Sequence, residues 1–329
     1  MKKLKDLNYR ESWNNIWANY SVGVIFFFIF TLSIVVKGKH FLTLNNIINI
    51  LRNNSIIGII ALGMTFIIAS GGIDLSVGSQ LVATGTIIIL ILESLSGLVP
   101  PLVCIALALL GGLTMGISLG FVNGLLITQG RIPPFIVTLG TMNVFRSVSQ
   151  HFMRGGGFTT RNTDYIGIAN YKLFGVIPLP ILYFVALTVI MHVVSKHTRF
   201  GRFVYATGSN EKATKLSGIN VNRVKLFTYA LMGFLVALAA IVETSRMGSI
   251  NPTSSANYYE MDAIAAAVIG GASMSGGKGL IVGTFFGVLT IGLINNMMTL
   301  VGVPPFLVSA MKGTIIVLAV LLQKKETEQ

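Results

Sequence analysis

Apolar runs of about twenty residues alternate with short polar interruptions along nearly the whole chain, the pattern of helices that cross a hydrocarbon layer about 30 Å thick. Ten segments can be read this way, at 20–36, 48–70, 75–92, 100–128, 133–151, 176–195, 226–247, 261–275, 279–300 and 304–322. The pattern predicts an all-α polytopic membrane protein with about ten transmembrane helices, some broken or re-entrant. Two segments fit a simple span poorly: 133–151 contains Asn143 and Arg146, and 261–275 is short and rich in Gly and Ala. A polar segment at 1–19 and a tail at 323–329 flank the transmembrane domain at 20–322.

One interruption is unusual. Between IIGIIALGMTFIIA and LVATGTIIILIL lies SGGIDLSVGS, residues 70–79, and a related decapeptide, SGGKGLIVGT, occupies 275–284. Paired Gly-interrupted apolar segments point to the working centre of a transporter, because unwound backbone at membrane depth is tolerated only inside protein or along a wet cavity. Gly71, Gly72, Asp74, Ser76, Gly276 and Gly277 are therefore expected at a gate. Asp74 has two readings, a cap for a helix beginning near Leu75 or a group facing the path. Further path candidates are the polar residues inside apolar spans, Asn123, Thr138, Thr141, Asn143, Asn295 and Asn296, for which bridging between helices is the competing role. Phe135 and Phe145 could stack on a ligand or pack in the core, and Arg146 requires a partner, a wet cavity or an outward reach. Gly112, Gly116, Gly120 and Gly124 recur every fourth residue, as do Gly279, Gly283 and Gly287; both stripes predict close helix packing.

Charge sets the orientation. The segment 196–225 carries Lys196, Arg199, Arg202, Lys212, Lys215, Arg223 and Lys225 against a single acid, Glu211, which places it in the cytoplasm. With ten spans both termini are then cytoplasmic, in agreement with Lys2, Lys3, Lys5, Arg10, Lys324 and Lys325, whereas Lys37, Lys39 and Arg52 disagree mildly. Residues 152–175 become the largest external loop. The segment 245–264, with Arg246, Glu260 and Asp262, faces the same side, where its charges could meet a partner, sit in solvent or suit a helix dipole. MKKLKDLNYRESWNN is polar and charged, so no cleaved leader is expected. The composition agrees: of 329 residues 53% are hydrophobic and 11% charged, against about 25% charged in soluble domains. The net charge of +13 then reflects positive-inside loops rather than nucleic-acid binding. A single cysteine, Cys104, precludes an internal disulfide.

Within the basic loop, NEKATKLSG reads as a short helix with Asn210 as N-cap, Glu211 in the first turn, Ala213 and Leu216 as a small apolar face and Gly218 as the stop. Such a helix suits either a protein partner or anionic lipid headgroups.

SGGIDLSVGS, GSNEKATKLSGINVNRVK and MDAIAAAVIGGASMSGGKGLIVGT, in that order, resemble the permease subunits of ribose-type ABC sugar importers. The resemblance extends from about residue 42 to the end and includes LTLNNIINIL. The wider family takes other pentoses, allose, galactose derivatives and autoinducer-2, with branched-chain amino-acid permeases more distant. The resemblance implies a monosaccharide permease in a bacterial cytoplasmic (inner) membrane, working with a second permease copy. It also implies a periplasmic or lipid-anchored sugar-binding protein and a cytoplasmic ABC ATPase, often with two fused nucleotide-binding domains. By the same resemblance the loop helix is the coupling helix, with Asn210, Glu211, Ala213, Leu216 and Gly218 in the groove of the ATPase.

Catalysis has little support. GGASMSGGKG lacks the Ser or Thr that follows Gly-Lys in a phosphate loop, and His40, His151, His192 and His197 are scattered. No cofactor is expected in this chain, ATP and magnesium belonging to the ATPase. The alternative outside this class is an ion-coupled secondary transporter of a small polar solute.

Overall fold

The computed structural model describes residues 22–304 together with 307, 308, 310, 313 and 314. Twelve helices are defined there: α1 (Val22–His40), whose last turn is 3-10, α2 (Leu44–Ala69), α3 (Val77–Ser94), α4 (Pro101–Thr128), α5 (Pro134–Phe152), α6 (Thr163–Asn170), α7 (Leu179–His197), α8 (Arg199–Ser209), α9 (Glu211–Leu216), α10 (Val221–Met247), α11 (Tyr259–Ile269) and α12 (Ile281–Val301). The strands among the described residues are two-residue pieces. β1 (Phe158–Thr159) pairs antiparallel with β4 (Ser249–Ile250), and β2 (Lys172–Leu173) with β3 (Ile177–Pro178).

Local sequence explains the boundaries. Thr43 accepts a bond from the Asn46 N–H at 3.3 Å and caps α2. Pro101 and Pro134 open α4 and α5, positions where the missing N–H is no loss. Gly248 (φ +62°) and Gly302 (φ +84°) end α10 and α12 in the left-handed conformation that stops helices.

Among the described residues seven helices are long and apolar enough to cross a membrane: α1, α2, α3, α4, α7, α10 and α12. The expected count of about ten is thus not confirmed there, for three separate reasons. α5 has 19 residues, but Arg146, Gln150 and His151 make its second half polar. α11, expected at 261–275, has 11 residues, about 16 Å at 1.5 Å per residue, half the depth of the layer. The segment 304–322 lies largely outside the described residues.

The core sits around α10, which packs on α4, α2, α3 and α6. The first glycine stripe is what lets α4 approach. A methyl at Gly116 would stand 2.6 Å from the Gly233 carbonyl oxygen, one at Gly120 would stand 2.9 Å from the Gly233 Cα, and one at Gly124 would stand 3.1 Å from the Leu226 Cα. Gly112 instead admits Ile88 of α3. Gly283 and Gly287 seat α12 on the backbone of Gly270 and Ala266. Gly120→Val should therefore force α4 off α10, with an overpacking loss of about 1–3 kcal/mol or more, read as a lower unfolding midpoint in detergent. An unchanged midpoint would mean that the backbones are not in contact.

The two ends of the bundle differ. At one end α8 and α9 bridge α7 to α10. At the other, residues 152–175 fold onto the end of α10: the Tyr165 hydroxyl meets Thr244 Oγ1, and Asn170 Nδ2 donates to the carbonyls of Ser245 (3.3 Å) and Arg246 (3.1 Å).

Candidate functional site

α2 ends where Gly71 adopts φ +82°; the N–H groups of Gly71 and Gly72 return to the carbonyls of Ile68 and Ile67, each at 2.9 Å. Gly72 has no room for a side chain, since a methyl would lie 2.7 Å from the Tyr229 hydroxyl. The chain then runs without helix until Val77. It stays inside the bundle: the free carbonyl of Ile73 accepts from the Tyr229 hydroxyl of α10 (3.2 Å) and from Thr138 Oγ1 of α5 (3.4 Å). Unwound backbone is thus satisfied by side chains of neighbouring helices, as burial requires.

Asp74 organises the restart. Its Oδ1 accepts from the Ser76 N–H (2.9 Å) and the Ser76 hydroxyl (2.6 Å), and its Oδ2 from Gln80 Nε2 (3.0 Å). The helix begins two residues later than expected, and the N-cap residue is Ser76, which makes no capping bond of its own. Asp74 therefore holds the helix start from two residues upstream, through Ser76 and Gln80. Asn123 of α4 donates its Nδ2 to Ser76 Oγ at 2.8 Å. Asp74, Ser76, Gln80 and Asn123 are all 0% exposed. Among the described residues Gln80 Oε1, Thr84 Oγ1 and Asn123 Oδ1 are buried without a hydrogen-bond partner. Sequence reasoning missed Gln80, Thr84 and Tyr229; Gln80 and Thr84 carry the signal that flagged Asn123, a polar residue inside an apolar run.

The second turn corresponds to the first in a shifted register. α11 stops as α2 does, with Gly271 at φ +92° and the N–H groups of Gly271 and Ala272 returning to Val268 (3.0 Å) and Ala267 (2.9 Å). The structural counterpart of Ser70-Gly71-Gly72 is Gly270-Gly271-Ala272, five residues before the matching letters SGG at 275–277. The decapeptides agree only where α3 and α12 begin. Gly276 (φ +82°) and Gly277 (φ +74°) shape the longer connection, and the Gly277 N–H donates to the Ala69 carbonyl at 2.9 Å. The glycine turn at Gly276 and Gly277 thus shares a backbone hydrogen bond with the start of the first turn.

The basic loop folds as its sequence predicts. Asn210 accepts the Ala213 N–H at 2.9 Å and caps α9, and Gly218 (φ +81°) follows its end. Glu211 pairs with Lys225 of α10 at 2.7 Å, and Thr214 Oγ1 donates to the Ala206 carbonyl of α8 at 2.8 Å. Leu216 is 89% exposed. Tyr205 of α8 donates to the Gly279 carbonyl at 3.0 Å; burial pushes its phenol above the usual range.

The remaining candidates separate. Asn143 is exposed on α5 and donates to its own Leu139 carbonyl. Asn296 exchanges bonds with Asn46 at 2.8 and 3.1 Å and ties α12 to α2. Asn295 is half-buried, with Oδ1 unpaired among the described residues. Thr138 and Thr141 are buried in α5. Phe145 packs with Ala83 and Leu119, whereas Phe135 is exposed. Arg146 reaches inward, donating to the carbonyls of Pro252 (2.8 Å) and Ser255 (3.2 Å) and to Ser79 Oγ (3.3 Å). The charges of 245–264 turn into the fold as well: Arg246 holds Asn53 Oδ1 at 2.7 Å and Asp262 is buried in the first turn of α11. Among the described residues no three His, Cys, Asp or Glu side chains gather as metal ligands would.

Comparison with known proteins shows relatives of the chain by sequence. The family described as branched-chain amino acid transport system / permease component matches residues 46–320. The ribose import permease protein of Bacillus subtilis (strain 168) is 44% identical over 305 residues, 91% of each chain. That of Escherichia coli (strain K12) is 38% identical over 327 residues, 96% of this chain and 97% of the relative. The D-allose transport system permease protein of Escherichia coli (strain K12) is 33% identical over 312 residues, 94% of this chain and 92% of the relative. No solved structure gives a significant match.

Proposed function

The chain belongs to the branched-chain amino acid transport system / permease component family, and from that premise we propose that it is a ribose-type sugar permease, the membrane subunit of an ABC importer. It is a permease component and not the ATPase. The relatives named for ribose reach 44% and 38% identity, that named for D-allose 33%, which supports ribose over other sugars of the family.

The observation that carries the mechanism is the buried polar cluster at the first broken turn. Asp74, Ser76, Gln80 and Asn123 join α3 to α4 where the backbone is unwound, and all are sealed from solvent. With Gly71, Gly72, Gly276 and Gly277 they form the gate. When α4 and α5 part from the turn, the carbonyl oxygens of Gln80 and Asn123 become available to sugar hydroxyls, which are donors. Neutral acceptors bind a polyol weakly, so the substrate leaves again. Asn143 and Asn295 line the remainder of the path. Asn296 is less suited to that role, its amide being spent on Asn46.

Gly140, Asn143, Ser147 and His151 are exposed along one face of α5. Polar groups spaced this way on an apolar bundle call for cover by protein or water, which supports a second permease copy across a shared path. α9, with Asn210, Glu211, Ala213, Leu216 and Gly218, docks in the groove of a cytoplasmic ATPase with two fused nucleotide-binding domains, where ATP and magnesium reside. The basic residues of 196–225, read with the positive-inside rule, support a cytoplasmic location for that end in a bacterial inner membrane and an external one for 152–175, facing the sugar-binding protein; an even number of crossings then leaves both termini in the cytoplasm.

Deletion of this chain from its host should sharply lower uptake of labelled ribose at micromolar concentration, and restoration of the chain should recover it. Undiminished ribose uptake together with lost uptake of another sugar would reassign the substrate.

A further inference from the structure

Gly208, in the last turn of α8, sits where the two glycine turns meet. A methyl on Gly208 would overlap the Ala69 carbonyl oxygen and stand 2.6 Å from the Gly277 nitrogen, the two atoms joined by the hydrogen bond between the turns. The contact is reciprocal. A methyl on Gly276 would stand 2.8 Å from the Gly208 carbonyl oxygen, one on Gly277 would stand 2.9 Å from the Ser209 Cα, and one on Gly71 would stand 4.0 Å from the Gly208 Cα. Three backbones therefore meet here, with the Ser209 hydroxyl as the side-chain neighbour of Gly277. Two residues later Asn210 caps α9, and Thr214 fastens α9 back to α8. Tyr205, one turn earlier on α8, grips the Gly279 carbonyl, and Phe200 stacks on Phe66 of α2 with ring centroids 6.2 Å apart.

We propose that Gly208 is a positioning residue: the backbone junction at Gly208 passes a displacement of α9 to both glycine turns at once, so that they open and close as one unit. The inference rests on the reading of α9 as the ATPase contact. A side chain between elements absorbs a small displacement by changing rotamer, whereas close-packed backbone does not. The Gly277–Ala69 bond lies at this junction, so α8 cannot shift without disturbing the link between the turns. The first turn continues directly into Asp74 and Ser76, which places the junction one short peptide away from the buried cluster.

The test compares Gly208→Ala, Tyr205→Phe and the control Gly23→Ala, whose added methyl meets nothing within 4 Å. Each is reconstituted with its ATPase and binding protein. Unfolding midpoint, ATPase association, ATP hydrolysis and sugar transported per ATP are read separately. Gly208→Ala is expected to keep the ATPase bound and hydrolysing while transport per ATP falls by about fivefold or more, with a smaller fall in Tyr205→Phe, the scale on which coupling mutations act; Gly23→Ala should match the parent. If Gly208→Ala does not fold, Tyr205→Phe decides by the same readouts. Unchanged transport per ATP in the folded variants would overturn the proposal, as would loss of ATPase association, which would make Gly208 part of docking. Failure of the underlying coupling reading would show instead in the parent protein, as transport that needs no ATP.

Discussion

Asp74→Ala is expected to lower sugar uptake by more than about tenfold and to lower the unfolding midpoint in detergent. The carboxylate is the acceptor for three donors, the Ser76 N–H, the Ser76 hydroxyl and Gln80 Nε2. Each buried donor left without a partner costs about 1–3 kcal/mol, and none has water to turn to, because Ser76 and Gln80 are 0% exposed. Part of the loss is recovered as the Ser76 hydroxyl and the Gln80 amide rearrange, and the start of α3 is left with the bonds that Ser76 Oγ accepts from Gln80 (2.7 Å) and Asn123 (2.8 Å). Asp74→Asn should be milder, because the Gln80 amide can turn its unpaired oxygen to the new donor. Uptake and stability both unchanged in Asp74→Ala would remove Asp74 from the gate and from the support of α3.

Leu216→Asp is expected to abolish stable association with the ATPase while leaving the permease folded. Leu216 is 89% exposed at the end of a helix held by the Asn210 cap, the Glu211–Lys225 pair and the Thr214 bond to α8, none of which involves its side chain. Burying a leucine in a partner gains about 1.5–3 kcal/mol, and a carboxylate in the same apolar pocket adds a desolvation penalty. Affinity should fall by about 100-fold, given that 1.4 kcal/mol is tenfold. Co-purification of the two subunits from detergent measures it, with the unfolding midpoint as control. Full association of Leu216→Asp would move the docking surface away from α9.

The parts of this molecule legible in the sequence were those written locally. Asn210 and Gly218 announce α9 because capping and helix stops depend on a few neighbouring residues, and the stripe from Gly112 to Gly124 announces close packing because a four-residue spacing keeps one face bare. The unwound segment after Ala69 was visible in two glycines and an acid where an apolar run should continue. The partners were not visible. That Asn123 holds Ser76, that Arg146 turns inward to Pro252 and Ser255, and that Gly208 wedges between Ala69 and Gly277 depend on contacts far apart in the chain. Matching letters also misled: SGG recurs at 275–277, yet the equivalent helix stop is Gly271, because a stop is set by the end of α11 and not by the triplet. The doubtful span at 261–275 overran α11 for a related reason, since Gly and Ala are apolar enough to extend the run past Gly270, where the helix has already ended.

The central claim is that this chain moves no solute by itself and is worked through α9 by a subunit that hydrolyses ATP. Uptake of labelled ribose into proteoliposomes tests it most directly, with the permease alone and with ATPase, binding protein and ATP added. The account predicts accumulation above the outside concentration only in the complete mixture, and its loss with Leu216→Asp. Accumulation by the permease alone, or driven by an ion gradient without ATP, would contradict it.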